Sequence, residues 1–135
     1  MVDYVKALID YLKADASVSA LVGTRVYGGE LPVDEIDNQP RKAIVIVLSG
    51  GESENDYRGV ARPSVDIYCY GENYYEAGEV DRAVYDALKS IDRESVGTVL
   101  IHSVVVSGGA IQLRDDLGWA IMWRGYTLAV GQDSL

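Results

Sequence analysis

Phenylalanine is absent from the 135 residues, there is one histidine, one cysteine and only three prolines. A single cysteine, Cys69, rules out an internal disulfide and a cysteine-rich metal site. A single histidine, His102, leaves too few partners for a histidine-based metal centre or a Ser-His-Asp triad. On its strand it reads as a packed or hydrogen-bonded side chain. Long apolar runs are also missing, so nothing reaches the length of a membrane span. The first thirteen residues carry Asp3 and Asp10 inside their apolar pattern, which is wrong for a signal peptide, so an intracellular origin is expected. Cations are scarce: 12 basic residues face 21 acidic ones, for a formal charge of −9. Sequence-specific nucleic-acid binding and attraction to an anionic membrane both need clustered Lys and Arg and are not expected.

What is present is a foldable chain. Apolar residues make up 48%, enough for one core in a domain of this size, and residues 1–135 are read as a single domain. Ten tyrosines and two tryptophans supply all the aromatic rings. Rings with a polar tip favour half-buried and interfacial positions.

Val5, Leu8, Ile9 and Leu12 form one helical face, with Asp3 as its N-cap candidate. A short helix follows from Ser17, a cap candidate, to Val22, and Gly23 stops it. Thr24–Tyr27 is a brief extended piece. Residues 30–41 hold two prolines and four acids and read as an extended connector without a core face. Ala43–Leu48 (AIVIVL) is a strand covered on both sides. Ser49–Gly59 reads as a polar loop.

From Arg62 to Tyr70 the pattern alternates, Val65, Ile67 and Cys69 against Ser64, Asp66, Tyr68 and Tyr70. Pro63 suggests a strand end or sheet edge. Asn73 and Glu76 open a helix in capping-box fashion, and its stripe runs Ala77, Val80, Val84, Leu88 to Ile91. Thr98–Val106 is a strand that Gly108-Gly109 bends, Ala110–Leu113 resumes it, and Trp119–Val130 closes the chain. The expected fold is α+β, with a mostly antiparallel sheet, helices on one face, and the order α-α-β-β-α-β-β.

Chemistry-bearing motifs do not emerge. Cys69 lies on the apolar side of its strand, as an inert small hydrophobe does. The alternating acids Glu52, Glu54 and Asp56 fail a calcium loop, with Tyr57 at the glycine position and Pro63 at the final glutamate. Asp115 and Asp116 are explained by a turn. No phosphate-loop, dinucleotide or nucleophile-elbow pattern occurs. The reading is therefore non-enzymatic, with no cofactor and no metal.

Ala20-Leu21-Val22-Gly23-Thr24-Arg25-Val26-Tyr27, then Pro32 and the strand Ala43–Leu48, then Val65–Tyr70 running into Tyr75-Glu76-Ala77 and Val84–Leu88 (VYDAL), together resemble the tail-terminator and tail-completion proteins of bacteriophages and prophages. The resemblance spans roughly residues 4–130; Trp119–Trp123 (WAIMW) falls outside the matched segments. It implies a structural virion protein, made in the host cytoplasm. Such a protein forms a ring, typically a hexamer, that caps the tail tube and joins it to the head connector.

The implied partners are thus copies of itself, the tail tube protein and the head-tail connector protein. Candidate interface residues are Glu52, Glu54, Asp56, Tyr57 and Arg58 of the polar loop, Tyr68 and Tyr70 of the alternating strand, and Asp115, Asp116 and Trp119 near the last turn. The acidic loop is expected to face the lumen or the tube, and a strand edge near Pro63 to augment a neighbouring sheet. Alternatives are another neck, head-closure or tube-like phage subunit, or a small cytoplasmic binding module or enzyme.

Overall fold

Alternation fixes which side of each strand meets the helices, and the helical stripes supply the other half of the core. A computed structural model describes residues 4–37, 39, 41–55, 60–96, 99–114 and 118–132, with backbone alone at 51–55, 60, 61, 131 and 132. The elements are α1 (Tyr4–Ala14), α2 (Ala16–Val22), β1 (Val26–Gly28), α3 (Val33–Ile36), β2 (Ala43–Asn55), β3 (Val60–Gly71), α4 (Tyr74–Lys89), β4 (Glu94–Val96), β5 (Val99–Val106), β6 (Ile111–Arg114) and β7 (Ala120–Gln132).

The strands form one sheet in the order β1-β2-β3-β7-β5-β4, with β6 also paired to β7. Only β1 and β2 run parallel; every other pairing is antiparallel. This is the α+β architecture expected from the residue pattern.

Leu8 and Leu12 of α1, Val18 and Val22 of α2, and Val80, Val84 and Leu88 of α4 are fully buried on one sheet face. They meet Ile44, Ile46, Val65, Ile67, Cys69, Ile101, Tyr126, Leu128 and Val130. Burying each such aliphatic side chain contributes roughly 1.5–3 kcal/mol. α4 opens as read, with Asn73 Oδ1 accepting from Glu76 N–H at 2.9 Å. The Glu76 carboxylate returns to Glu72 N–H, one residue short of the usual capping-box target. α4 leaves β3 so tightly that a Cβ on Gly71 would stand 2.5 Å from Ala77 N. A polar lock ties the same layers together. Asp81, only 2% exposed, accepts from Arg124 of β7 at 2.7 and 3.2 Å, and the Tyr85 ring lies 4.7 Å from the guanidinium.

Several expectations need correction. Asp15, not Ser17, caps α2, its carboxylate accepting from Ser17 and Val18 N–H at 3.0 Å. The connector is not purely extended. It contains α3, and Leu31 and Glu35 are buried.

The residues read as a loop from Ser49 continue β2 to Asn55. Pairing with β3 supplies the hydrogen bonds there and includes Gly50 and Gly51, with register shifts between Leu48 and Gly50 and between Glu52 and Asn55. Pro63 is not at a sheet edge. It lies in β3, between β2 and β7, and the β3–β7 ladder skips Arg62 and Pro63 because proline has no N–H to donate. The Asp3 cap falls outside the described residues.

The final hairpin is as read. β5 and β6 form one interrupted strand along β7: Val106 pairs with Tyr126 and Ile111 with Trp123, so residues 107–110 bulge against two residues of β7.

Candidate functional site

The second face of the sheet carries no long helix. Residues one step out of phase with the core point there: Val45 and Val47 of β2, Ser64, Asp66, Tyr68 and Tyr70 of β3, Ile111 and Leu113 of β6, and Trp119, Ile121 and Trp123 on and beside β7. Tyr68 is paired with Trp123 and Tyr70 with Ile121. A small second core of Leu31, Ala43, Val45, Tyr70 and Ile121 sits here, with Tyr27, Val47, Tyr68 and Trp119 packed against it. Ile111 and Leu113 remain 45% and 37% exposed. Exposed aliphatic side chains beside half-buried rings are a composition that interface centres favour.

Alone on this side, α3 forms one bank of a groove. A depression of about 400 Å³ runs between α3 and the last hairpin, with Leu31 and Ile36 on one side, Trp119 on the other, and Val45, Tyr68 and Ile121 as floor. The bank is fixed by Glu35. Its carboxylate, 4% exposed, accepts from Arg41 Nε and Nη2 at 2.7 Å, Tyr27 OH at 2.8 Å and Gln39 Nε2 at 2.9 Å. The Arg41 hydrogen bonds outweigh burial and hold the Glu35 carboxyl down at about 2. The same contact, after burial, pushes the Tyr27 hydroxyl up.

A second depression, of about 540 Å³, lies where the bulge 107–110 meets the sheet, and Asp66, Ser107 and Trp123 line it. Ser64, Thr127 and Ser107 share a chain of hydroxyl contacts at 3.2–3.3 Å.

Of the interface candidates, Tyr68, Tyr70 and Trp119 converge on the groove. Glu52 and Glu54 fall on the far end of β2, where only backbone is described, and Asp56, Tyr57, Arg58, Asp115 and Asp116 fall outside the described residues. Reading by motif missed Trp123, Ile111 and Leu113, whose places beside Tyr68 and Ile121 are set by strand register. It missed Glu35 too, because its partners Tyr27, Gln39 and Arg41 lie outside α3 and follow no local pattern.

Among the described residues no three His, Cys, Asp or Glu side chains gather to hold a metal ion. No described helix is long and apolar enough to cross a membrane. Cys69 is fully buried, and burial followed by the nearby Asp81 charge pushes its thiol well up, away from the thiolate a nucleophile needs.

Fold and face together define a two-layer α+β domain with one covered and one open sheet surface. No family model matches the chain, and no curated protein matches it. A solved structure described as "Virion of native gene transfer agent (GTA) particle" contains a chain similar in fold. The TM-score is 0.73, the identity 19%, and the match covers 95% of this chain and 94% of that one. At this identity the likeness is one of fold, and it extends over both chains almost entirely.

Proposed function

We propose that the protein is a structural subunit of a phage-type particle, acting as a tail terminator: a ring, typically of six copies, that caps the tail tube and joins it to the head connector. The reading is non-catalytic. Its main support is the near end-to-end fold likeness to a chain of a virion particle. The open aromatic face supplies a surface suited to such assembly. Trp and Tyr dominate the energetics of interface centres, and Tyr68, Trp119 and Trp123 stand on one face. Partners in this reading are further copies, the tube protein and the connector. The site of action is the virion tail, after assembly in the host cytoplasm. The end of the β2–β3 hairpin, with Glu52, Glu54 and Asp56, faces the lumen or the tube. A lumen of like charge repels passing DNA instead of binding it.

The test is direct. Purified protein is mixed with tail tube protein and the tubes are viewed by electron microscopy; capped tubes of limited length are expected. Replacing Glu52, Glu54 and Asp56 by Ser should impair attachment if the hairpin end meets the tube. Uncapped tubes with wild-type protein would sink the terminator assignment. A second reading, another neck, head-closure or tube-like subunit, is kept because the description of the similar structure names the particle and not the part. Binding to the connector without binding to tubes would favour it.

A further inference from the structure

The bulge cavity holds a charge with no counterpart. Asp66 projects from β3 onto the open face opposite Gly125. Among the described residues it has no ion pair and no hydrogen bond, whereas the buried carboxylates of Glu35 and Asp81 are each held by an arginine. Trp123 lies two residues before Gly125 on the same face and lines the same cavity. Among the described residues its ring bears no cation, whereas the Tyr74 and Tyr85 rings do.

The floor is cut away for an occupant. A Cβ on Gly125 would stand 3.5 Å from both Asp66 Oδ1 and Ser107 Cβ, so glycine keeps the space between them open. Ser107 is anchored by its N–H to Gly125 O at 2.8 Å, and its hydroxyl continues through Thr127 to Ser64. The Asp66 field is also felt next door, where it adds to burial in pushing the Tyr68 hydroxyl up.

A carboxylate, an aromatic wall and a row of hydroxyls around a space of about 540 Å³ match the chemistry of a guanidinium. That group is planar, stacks on an indole and donates to a carboxylate in a two-pronged fork. We propose that the cavity between Asp66, Trp123 and Ser107 is a socket for an arginine side chain presented by a different protein. A foreign partner is favoured because the chain carries −9 formally, with 12 basic against 21 acidic residues, and this field draws a cationic partner toward it. The socket is a property of the sheet and stands or falls separately from the tail-terminator reading.

The probe is N-acetyl-arginine amide, titrated into the intact ¹⁵N-labelled protein and followed by amide and indole NMR shifts. Saturable shifts should centre on Trp123, Ser107, Gly108, Gly109 and Gly125. The neutral isostere N-acetyl-citrulline amide should bind at least tenfold more weakly. Asp66→Asn should weaken arginine by a similar factor without altering thermal stability, since Asp66 has no partner to lose. Gly125→Ala adds one methyl group to the floor at ordinary contact distance and should weaken binding severalfold in a folded protein.

Equal shifts from citrulline, an unaffected Asp66→Asn variant, or shifts centred away from the cavity would each overturn the socket. Sedimentation velocity should give the same mass for wild type and Asp66→Asn. A loss of self-association in the variant would make a second copy the arginine donor and overturn the assignment to a foreign partner.

Discussion

The two faces of the sheet are built from alternate residues of the same strands, yet they solve different problems. On the covered face Val65, Ile67 and Cys69 disappear under α1, α2 and α4, and a buried charged contact, Asp81 with Arg124, is sealed by the Tyr85 ring. On the open face their neighbours Ser64, Asp66, Tyr68 and Tyr70 meet tryptophans, hydroxyls and one isolated carboxylate. The first face spends its residues on stability. The second leaves rings half-buried and ends of apolar strands uncovered, which is costly for a monomer and useful for a component of an assembly.

That contrast can be broken most sharply at the polar lock. Arg124→Ala leaves Asp81 charged and buried without a partner and should cost about 3–5 kcal/mol in urea denaturation. The double replacement Asp81→Leu with Arg124→Met should recover most of the loss. If the single variant is as stable as wild type, the lock is not buried as described.

Next comes aliphatic packing. Leu8→Ala or Leu88→Ala should each cost about 2–5 kcal/mol, measured the same way. Gly71→Ala should follow at roughly 1–3 kcal/mol, because its methyl meets the backbone of Ala77.

The Glu35 clasp belongs to the open side and shows itself in acid. Its carboxyl pKa is lowered from 4.5 to about 2, so the folded state holds fewer protons than the unfolded one in that window. The stabilisation is fully present above pH 4.5 and is lost as pH falls toward 2. Glu35→Gln should therefore flatten the acid limb of the stability profile between those values; an unchanged limb would dissolve the clasp.

Smallest in stability are the surface rings. Trp119→Ser and Tyr68→Ser should cost about 1 kcal/mol or less and, if the proposed tail-terminator role holds, should reduce tube capping strongly. A large stability loss with normal capping would reverse the division of labour between the faces.

Much of this was legible from residue order. The stripe Val5, Leu8, Ile9, Leu12 gives α1, the Asn73 and Glu76 pair gives the start of α4, and the alternation from Ser64 to Tyr70 sorts β3 correctly between two surroundings. The continuation of β2 through Ser49-Gly-Gly-Glu was not legible, because backbone pairing with β3, and no apolar pattern, makes it a strand. α3 escaped for a related reason: four residues give no periodicity, and its anchor, Glu35, is held by Tyr27, Gln39 and Arg41 from outside it.

Pro63 was misplaced to an edge because proline statistics favour edges. Here a gap of two residues, Arg62 and Pro63, is tolerated in one ladder of a central strand. Of the open face, single residues such as Tyr68 and Trp119 stood out, but their convergence depends on the β3–β7 register, which no local signal carries.

Gly71 has a mechanical corollary. With α4 springing from β3 at backbone contact, there is no slack at that joint. A pull on the open face, directed along the strands, is delivered to the long β2, β3 and β7 ladders in shear, where many hydrogen bonds must fail together. The domain should therefore resist traction far better along its strands than across them.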